Sequence, residues 1–427
     1  MTYPESVQFL YTLGNEVKTA KLGLERIRAV LHALGEPQRS LRLAHVAGTN
    51  GKGSTSAMIA SGLTTEGLRT GLFTSPHLLE PTERIRVDGV PVSAEQFTSA
   101  FATVHGTVER LLRAGELDLH TTYFETVTAM ALVLFRELGV QIAVVEVGLG
   151  GRLDATNVIS PEVAVITPVD FDHEAFLGKS LEAIAGEKAG ILKPGSRAVF
   201  ARQRPAADAV LTARARELGV PVARTSEWRL SDLALDAGGS RFRATGLRHL
   251  HITCPLAGEH QVENALTAAS ALVLLGVSDR SIETGIAAAR WPGRLERVAE
   301  RPDVILDGAH NPAGTRALAA YMDRFLAGRR VWLIYGAMRD KAIAEMTGIL
   351  FPRAWRVIAT APGQSRAVLP ETIRELADRD DVLVAPRLPD ALALARDAAP
   401  EDVILIAGSL FLVAEAEVLF RTSAALV

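Results

Sequence analysis

A glycine-rich segment with one lysine stands between a predicted strand and a predicted helix. Gly48–Thr55 reads Gly-Thr-Asn-Gly-Lys-Gly-Ser-Thr, and a helical pattern continues over Ser54–Leu63. Glycines let backbone N–H groups approach phosphate oxygens, the helix N-terminus adds a positive dipole, and Lys52 can reach a terminal phosphate. The standard phosphate loop has glycine where this chain has Val46 and a hydroxyl residue where it has Gly53. We therefore predict a phosphate-binding loop, rather than an empty glycine turn, with Mg²⁺ held by residues elsewhere.

Three side chains that suit Mg²⁺ follow predicted strands. Glu146 ends a buried strand, where a carboxylate is costly unless it is paired or binds a metal. His173 and Ser75 each follow another strand, so all three can reach the carboxyl edge of one sheet, where open α/β folds bind ligands. Oxygen ligands with one imidazole suit Mg²⁺. Taken singly, each residue has another explanation: a salt bridge for Glu146, a cap for His173 and a turn for Ser75.

Lysine is scarce among the 46 basic residues, and codon bias towards arginine explains most of that scarcity. A lysine inside a motif still matters, because arginine cannot act as a neutral amine. Lys188 lies on a predicted helix; taken alone, it would be a surface lysine paired with an acid. The lysines are Lys18, Lys21, Lys52, Lys179, Lys188, Lys193 and Lys341.

Apolar runs alternate with helical patterns over most of the chain, which predicts βαβ units and a mainly parallel sheet. The expected fold class is α/β, with an N-terminal P-loop-type ATPase domain and a smaller C-terminal Rossmann-like domain. The pattern breaks near Trp291–Arg294. We therefore place the domains at residues 1–290 and 298–427, joined by a linker at 291–297.

The predicted elements follow that division. In the first domain we predict strands at Leu41–Ala47, Gly71–Thr74, Ile142–Val147, Val163–Thr167 and Ala198–Ala201. A proline-containing loop is predicted from the second of these strands through Arg86. Helices are predicted at Tyr123–Leu138 and His260–Gly276, with β-hairpins from Trp228 to Pro255. In the second domain we predict strands at Val304–Asp307, Val331–Tyr335, Arg356–Ala359, Val382–Ala385 and Val403–Ala407.

Composition excludes several classes of protein. The 427 residues carry a formal charge of −3, with 48% hydrophobic and 22% charged residues, which fits a globular chain rather than a disordered one. Near-neutral charge gives no electrostatic footprint for nucleic acid. The longest apolar stretch, Ala265–Val277, is too short to span a bilayer. With the single cysteine Cys254 and no signal-peptide pattern, we expect a cytoplasmic protein that binds neither nucleic acid nor membrane.

Taken together, the motifs resemble the folylpolyglutamate synthase/dihydrofolate synthase family, relatives of the Mur peptidoglycan ligases. The resemblance covers nearly the whole chain, with its motifs in order. They are Gly48–Thr55, Thr74–Leu78, Glu83–Ile85, Thr122–Glu125, Glu146–Asn157, Asp172-His173, Leu177-Gly178, Glu187–Ile191, Lys193–Gly195, His260-Gln261, Asn264-Ala265, Pro292–Glu296 and Leu306–Pro312.

The resemblance implies an ATP-dependent amide ligase that adds L-glutamate to a pterin carboxylate and releases ADP and phosphate. Members of the family make dihydrofolate, extend folates with glutamate, or do both, and we expect this chain to do both. The implied small-molecule partners are the pterin or folate acceptor and L-glutamate. A monomer is expected, although no sequence feature reports the oligomeric state.

The resemblance also implies roles for individual residues. Two Mg²⁺ ions are implied, the first bound by Ser75, Glu146 and His173, and the second held with the help of a carbamylated Lys188. The implied catalytic residues are Lys52, Lys188 and His310. The implied ATP contacts are Asn50, Gly51, Lys52, Gly53, Ser54, Asn264, Arg294 and Asp307. The implied lining of the dihydropteroate pocket is Thr122, Tyr123, Phe124, Glu125, Leu153, Asp154 and Ala155.

Two alternatives stay open on the sequence. A Mur-type ligase acting on a UDP-muramoyl substrate would want a uridine-nucleotide-binding domain before the phosphate loop, where this sequence has only about 40 residues. A non-enzymatic ATP-binding regulator would use the loop but would not require Lys188, Arg294 or the Asp307–Asn311 segment.

Overall fold

The strand–loop–helix unit predicted around the glycine-rich segment is present in the computed structural model of the chain, which describes residues 1–14 and 23–424. Helices α1 (Tyr3–Thr12) and α2 (Glu25–Ala33) precede strand β1 (Arg42–Ala47), and the loop then leads into helix α3 (Lys52–Thr65). Lys52 is therefore the first residue of a helix that directly follows a central strand.

Strand β1 lies inside an eight-stranded sheet that is parallel except at one edge. The other strands are β2 (Thr70–Phe73), β3 (Ile85–Val87), β4 (Val90–Pro91), β5 (Ile142–Glu146), β6 (Val163–Ile166), β7 (Arg197–Phe200) and β8 (Val222–Arg224). The order is β4-β3-β2-β5-β1-β6-β7-β8, with β2, β3 and β4 paired antiparallel. Because both faces of β5 and β6 are covered, these strands are continuous apolar runs.

Helices cover both faces of this sheet. They are α4 (Ala94–Arg113), α5 (Tyr123–Glu137), α6 (Glu174–Leu177), α7 (Leu181–Ala189), α8 (Pro205–Leu218), α9 (His260–Leu274) and α10 (Asp279–Ala288). Ala143 and Val145 pack in a core with α4 and α5, while Ile142 and Val144 pack in a second core with α3, α9 and α10. This division follows from the two-residue period of a strand. The sheet thereby separates two hydrophobic cores.

The proline-containing loop predicted through Arg86 is wrong at its end. Ile85–Val87 forms β3, which pairs antiparallel with β2 from Gly71↔Val87 to Phe73↔Ile85. Three residues are too few to show a strand periodicity, and only Ile85 is fully buried, so the segment gives almost no sequence signal. Helix α4 was not predicted either, although Ser93 and Gln96 form a capping box at its start.

The predicted hairpins form a small antiparallel sheet. Strands β9 (Arg229–Asp236), β10 (Gly239–Thr245) and β11 (His249–Cys254) lie in the order β11-β10-β9. Alternate residues such as Phe242 and Ile252 are buried in the core that contains α9. The single cysteine, Cys254, is buried at the end of β11.

A third sheet forms the C-terminal part of the chain. Its strands are β12 (Glu296–Ala299), β13 (Asp303–Asp307), β14 (Val331–Tyr335), β15 (Arg356–Ala359), β16 (Leu383–Val384) and β17 (Val403–Ala407). The order is β12-β13-β17-β14-β15-β16, and only β12 is antiparallel to its neighbour. The helices are α11 (Pro312–Phe325), α12 (Ile343–Leu350), α13 (Pro370–Leu376), α14 (Leu388–Leu394) and α15 (Leu410–Ala424). The fold is thus α/β throughout, with separate N- and C-terminal parallel sheets.

Helix α10, the last element that packs on the first two sheets, ends at Ala288, and the third sheet begins at Glu296. The intervening segment crosses from one part of the molecule to the other, and Gly308 donates its N–H to the carbonyl of Gly293 within it (2.9 Å). Among the described residues, no helix combines the length and apolar character needed to cross a membrane.

Candidate functional site

The glycine-rich loop is built to let another group approach its backbone. Gly51 caps helix α3 with φ +83°, a left-handed conformation that favours glycine, and a Cβ there would overlap Oδ1 of Asn264. Lys52 donates from Nζ to the carbonyl of Thr49 (3.0 Å) and so folds back over the loop. Asn264 is itself held by Gln261, to which it donates at 2.9 Å. The loop therefore packs directly against the start of α9.

A cavity of about 350 Å³ opens in front of this loop, between the N- and C-terminal parts. Its wall gathers residues from at least seven separate segments of the chain. Among the residues singled out in the sequence, those on the wall are Asn50, Gly51, Lys52, Gly53, Ser54, Ser75, Glu146, His173, Lys188, Asn264, Arg294, Asp307 and His310. The structure thus brings together every predicted phosphate, metal and catalytic residue.

Glu146 is a buried carboxylate at the end of β5. Its side chain is 3% exposed, and Oε2 accepts the backbone N–H of Ser75 at 3.2 Å. Burial raises the pKa of Glu146 to about 7, against the opposing effects of the Lys52 charge and the Ser75 N–H. The carboxylate therefore lacks full compensation from the protein. An oxygen ligand of this kind, facing a cavity beside Ser75 and His173, fits a Mg²⁺ site.

Lys188 is as buried as Glu146 and lies on the last turn of α7. Its side chain is 3% exposed, and Nζ donates to the carbonyl of Gly48 at 2.8 Å. Burial, followed by the charge of Lys52, lowers the pKa of Lys188 to about 7. The segment after β5 packs closely against the end of α7, which carries Lys188. Glycine is needed at position 151 for this contact, because a Cβ there would lie 2.7 Å from the carbonyl oxygen of Glu187. A substantial fraction of this lysine is a neutral amine at physiological pH.

Arg294 and Asp307 meet where the linker joins the C-terminal sheet. Asp307 ends β13 and accepts backbone N–H groups from Leu295 (2.9 Å) and Ala309 (2.9 Å). Burial raises the pKa of Asp307, and the positive charge of Arg294 opposes that rise. Arg294 donates to the carbonyl of Gly293 at 3.0 Å. The linker arginine therefore lies on the cavity wall beside Asp307, with its guanidinium bonded to the linker backbone.

His310 reaches the same cavity from the loop after β13. Its Nδ1 lies 2.8 Å from the carbonyl oxygen of Gly308, and a carbonyl oxygen only accepts, so Nδ1 carries the proton. Burial, followed by the charge of Lys341, lowers the pKa of His310 to about 4. At neutral pH the ring is uncharged, and its Nε2, 3.8 Å from Oδ2 of Asp172, has a lone pair that can accept a proton.

Asp172 connects the two parts of the molecule through a polar network that the sequence did not predict. It accepts Nζ of Lys341 at 2.9 Å and Nδ2 of Asn311 at 2.9 Å. Asn311 also exchanges amide hydrogen bonds with Asn50 in the phosphate loop. Burial, the largest single effect, would raise the pKa of Asp172, but the Lys341 ammonium together with His173 and His310 lowers that pKa well below the usual range. The network holds Asn50 and His310 on one side of the cavity.

The predicted acceptor-pocket residues lie beside the cavity but not on its wall. The Thr122 side chain caps α5 by accepting the N–H of Glu125. The Glu125 carboxylate accepts the N–H of Thr122 in return and forms an ion pair with Arg26. Asp154 similarly caps the short helix Ala155–Val158 and accepts the N–H of Leu149 (2.8 Å). These carboxylates hold the backbone in place, and their local bonds account for their burial.

The aromatic members of that set are placed differently. Phe124 lies against Gly148, where a Cβ would come 2.6 Å from the ring, so it touches the segment after β5. The ring of Tyr123 is stacked on Tyr11 with a centroid distance of 5.8 Å, and the guanidinium of Arg84 lies 5.1 Å from its centroid. Ala155 shares the core that contains Tyr123 and Phe124, whereas Leu153 is only half-buried. The two predicted segments are therefore neighbours.

Four residues of the site were not predicted from the sequence: Asp172, Asn311, Lys341 and the aromatic partner Tyr11. Three of them carried a usable signal, and one of these, Asn311, lies within the motif Leu306–Pro312. Lys341 is one of few lysines, and three of these, at positions 52, 188 and 341, surround the site. Asp172 directly precedes His173, which was predicted. Tyr11 had no such signal, because it meets Tyr123 only through the packing of α1 on α5.

Comparisons with known proteins agree with this geometry. The Mur ligase middle domain matches residues 92–272, and the Mur ligase glutamate ligase domain matches residues 293–410. Folylpolyglutamate synthase of Lacticaseibacillus casei is 35% identical over 432 residues, covering 96% of this chain and 97% of that protein. Dihydrofolate synthase/folylpolyglutamate synthase of Mycobacterium tuberculosis is 39% identical over 402 residues, covering 87% and 82%.

Structural similarity is equally extensive. The solved structure of E. coli FolC in complex with DHPP and ADP superposes with a TM-score of 0.89 at 32% sequence identity, covering 99% of each chain. Sequence and fold therefore agree over essentially the full length of these proteins. The chain belongs to the folylpolyglutamate synthase/dihydrofolate synthase family of ATP-dependent ligases, within the Mur ligase superfamily.

Proposed function

We propose that this ligase adds L-glutamate both to dihydropteroate and to the γ-carboxylate of folates, through an acyl phosphate. One observation carries the proposal: a single cavity joins the phosphate loop, a buried carboxylate and a buried lysine to Arg294, Asp307 and His310 of the C-terminal part. The double name of the M. tuberculosis relative supports two acceptors. The DHPP and ADP bound together in E. coli FolC support an acceptor site next to a nucleotide site.

The chemistry begins with the acceptor carboxylate, which is a poor electrophile. One of its oxygens attacks the γ-phosphorus of ATP, the bond to the ADP oxygen breaks, and an acyl phosphate forms. Lys52 and the loop N–H groups lie where they can neutralise charge on the transferring phosphoryl group. The amino group of glutamate then attacks the acyl carbon, and phosphate leaves as the amide forms.

Ser75, Glu146 and His173 would hold the first Mg²⁺. Burial lowers the pKa of His173, so its imidazole is available as a neutral ligand. An ion held there would supply positive charge to the phosphate oxygens of ATP. We further propose that Lys188 is carbamylated and helps hold a second Mg²⁺. The proposal fits a buried lysine with a pKa near 7, because only a neutral amine attacks CO₂ and the product is an anion.

His310 is placed to accept the proton that the glutamate amine loses. Its Nε2 carries the free lone pair, and its low pKa keeps that nitrogen unprotonated before the reaction. Asp172 lies 3.8 Å away and would stabilise the imidazolium that forms. His310 is held by its bond to Gly308, so the base is pre-oriented.

An acyl phosphate has to be kept from water, and the two-part cavity suits that need. Arg294 on the linker and Asp307 at the end of β13 face the phosphate loop across the cavity. We propose that they grip ATP together with Asn264, and that motion of the linker 291–297 opens the site for exchange. We also propose that the two domains span residues 1–290 and 298–427 and that the protein is a monomer.

We place the pterin ring beside Tyr123 and Phe124, in the region bounded by Thr122–Glu125 and Leu153–Ala155. Tyr11 is 56% exposed and stacks on Tyr123, so an aromatic surface is already present there. Aromatic rings stack favourably on one another, which suits a flat pterin. The capped backbone of these segments gives the surface a fixed shape.

Mass spectrometry of the products tests the choice of acceptors. The protein is incubated with ATP, Mg²⁺, L-glutamate and a mixture of dihydropteroate and tetrahydrofolate. We expect both acceptors to gain one glutamyl mass, with ADP formed in proportion. Addition to only one acceptor would contradict the bifunctional proposal. No addition to either, from folded protein that binds ATP, would revive a regulatory role or a Mur-type substrate.

A further inference from the structure

A cluster of three potential metal ligands lies away from the cavity described above. His105 and Glu109 are one turn apart on α4, and His120 is in the loop that joins α4 to α5. One ligand atom from each residue lies within 4.8 Å of the other two. None of the three lines the cavity that contains the phosphate loop.

His120 is fixed in the tautomer that a metal requires. Its Nδ1 lies 2.9 Å from the carbonyl oxygen of Thr121, which only accepts, so Nδ1 carries the proton and Nε2 carries the lone pair. A bond of this kind to the far ring nitrogen is typical of histidines that bind metals. The loop itself is anchored, because the Thr121 hydroxyl bonds that of Thr126 on α5 (2.8 Å).

Two of the candidate ligand atoms are shielded from solvent and lack a hydrogen-bond partner. Within the described residues, Nε2 of His120 and Nδ1 of His105 are buried without a hydrogen bond. An unpaired buried polar atom destabilises the folded state, so two of them in one cluster call for an explanation. Phe9 and Phe101 pack against the ring of His105, at centroid distances of 4.6 and 5.3 Å.

We propose that His105, Glu109 and His120 bind a zinc ion. Two imidazoles and one carboxylate form a donor set that zinc prefers, and Mg²⁺ does not. Adjacent ligands of tetrahedral zinc are about 3.4 Å apart, so small side-chain rotations bring the three atoms into place. Because all three residues are only half-buried, the fourth ligand would be a water molecule from solvent. The ion would tie α4 to the loop that leads into the proposed acceptor segment Thr122–Glu125.

Zinc titration of the full-length protein tests this site. The titration is run with saturating Mg²⁺ and ADP, so that Glu146 and His173 do not compete for zinc. We expect one zinc ion to bind to the wild-type protein that does not bind to the Glu109→Gln or His120→Gln variant. If the variants still bind this ion, we expect their affinity to be lower than that of wild type by a factor of about ten or more. Zinc should also raise the melting temperature of the wild-type protein and not that of the variants.

Glu109→Gln is the decisive variant, because it changes a half-exposed helix residue and leaves both imidazoles packed. His249→Gln, at an exposed histidine of β11, is the matched control and should titrate like wild type. Equal zinc stoichiometry and affinity in wild type, Glu109→Gln and His120→Gln would overturn the proposal. In that case the cluster is an aromatic–histidine packing feature only.

Discussion

Lys188→Ala is expected to abolish ligation and to leave ATP binding nearly intact. The amine of Lys188 contacts the carbonyl of Gly48, the first residue of the glycine-rich loop, and Lys188 is not among the residues that we propose to contact ATP. Its proposed carbamate would help hold the second Mg²⁺, which would stabilise the charge that develops during phosphoryl transfer. Loss of such a group lowers turnover by about 10²–10³-fold or more. ADP release with both substrates present, set beside ATP affinity from calorimetry, measures the two effects separately.

Two further variants sharpen that result. Lys188→Arg keeps the positive charge but cannot form a carbamate, so we expect it to be as inactive as the alanine variant. Lys179→Ala removes an exposed lysine and should have no effect. An active Lys188→Arg enzyme would contradict carbamylation. Equal loss of ATP binding and ligation would instead assign Lys188 to folding or to the nucleotide site.

The same lysine predicts a dependence on pH and bicarbonate. With a pKa of about 7, about nine-tenths of the amine is neutral at pH 8 and about one-tenth at pH 6. Only the neutral amine captures CO₂, so carbamylation rises as the pH rises through 7. Enzyme stripped of bicarbonate should therefore regain activity on its addition, and more fully at pH 8 than at pH 6. Activity indifferent to bicarbonate at both values would argue against the modification.

Glu146→Gln is expected to lower activity and to raise stability, two effects of opposite sign. The folded-state pKa of Glu146 is raised from 4.5 to about 7, so stability is lost as the pH rises through that window and stays reduced above it. Glutamine keeps the shape and removes the buried charge. At pH 8 without Mg²⁺ we therefore expect a melting temperature at or above that of wild type.

Activity should move the other way. The variant loses the one carboxylate of the proposed metal set, so the Mg²⁺ concentration for half-maximal rate should rise more than about tenfold. Mg²⁺ with ADP should raise the melting temperature of wild type much more than that of the variant. Glu137→Gln, at an exposed carboxylate ending α5, is the control for both readouts. An unchanged Mg²⁺ requirement would remove Glu146 from the metal site.

The central strands of both domains could be predicted from sequence because burial on both faces leaves continuous apolar runs. The strand predicted at Val331–Tyr335 has those bounds in the structure, and Ile142–Glu146 differs from prediction by one residue. Edge strands could not be predicted from the sequence, for the opposite reason. β3 and β12 are short and half-exposed, and their place in a sheet is set by pairing with a neighbour rather than by their own pattern.

The site divides in a similar way. Phosphate and metal residues follow strands of a parallel sheet, so topology alone brings Glu146, Ser75 and His173 to one edge. The contacts across the domains could not be predicted, because Asp172 and Lys341 lie 169 residues apart and only tertiary packing joins them. The extent of burial at Lys188 was likewise invisible, and that burial is what lowers its pKa.

The most direct test of the acyl-phosphate account follows one oxygen atom. The acceptor is prepared with ¹⁸O in its carboxylate and incubated with the protein, ATP, Mg²⁺ and L-glutamate, and the released phosphate is analysed by mass spectrometry. If an acyl phosphate forms, the released phosphate contains one ¹⁸O for each amide formed, because an acceptor oxygen leaves with the phosphoryl group. Amide formation with unlabelled phosphate would show that the carboxylate is never phosphorylated, and would contradict the acyl-phosphate mechanism.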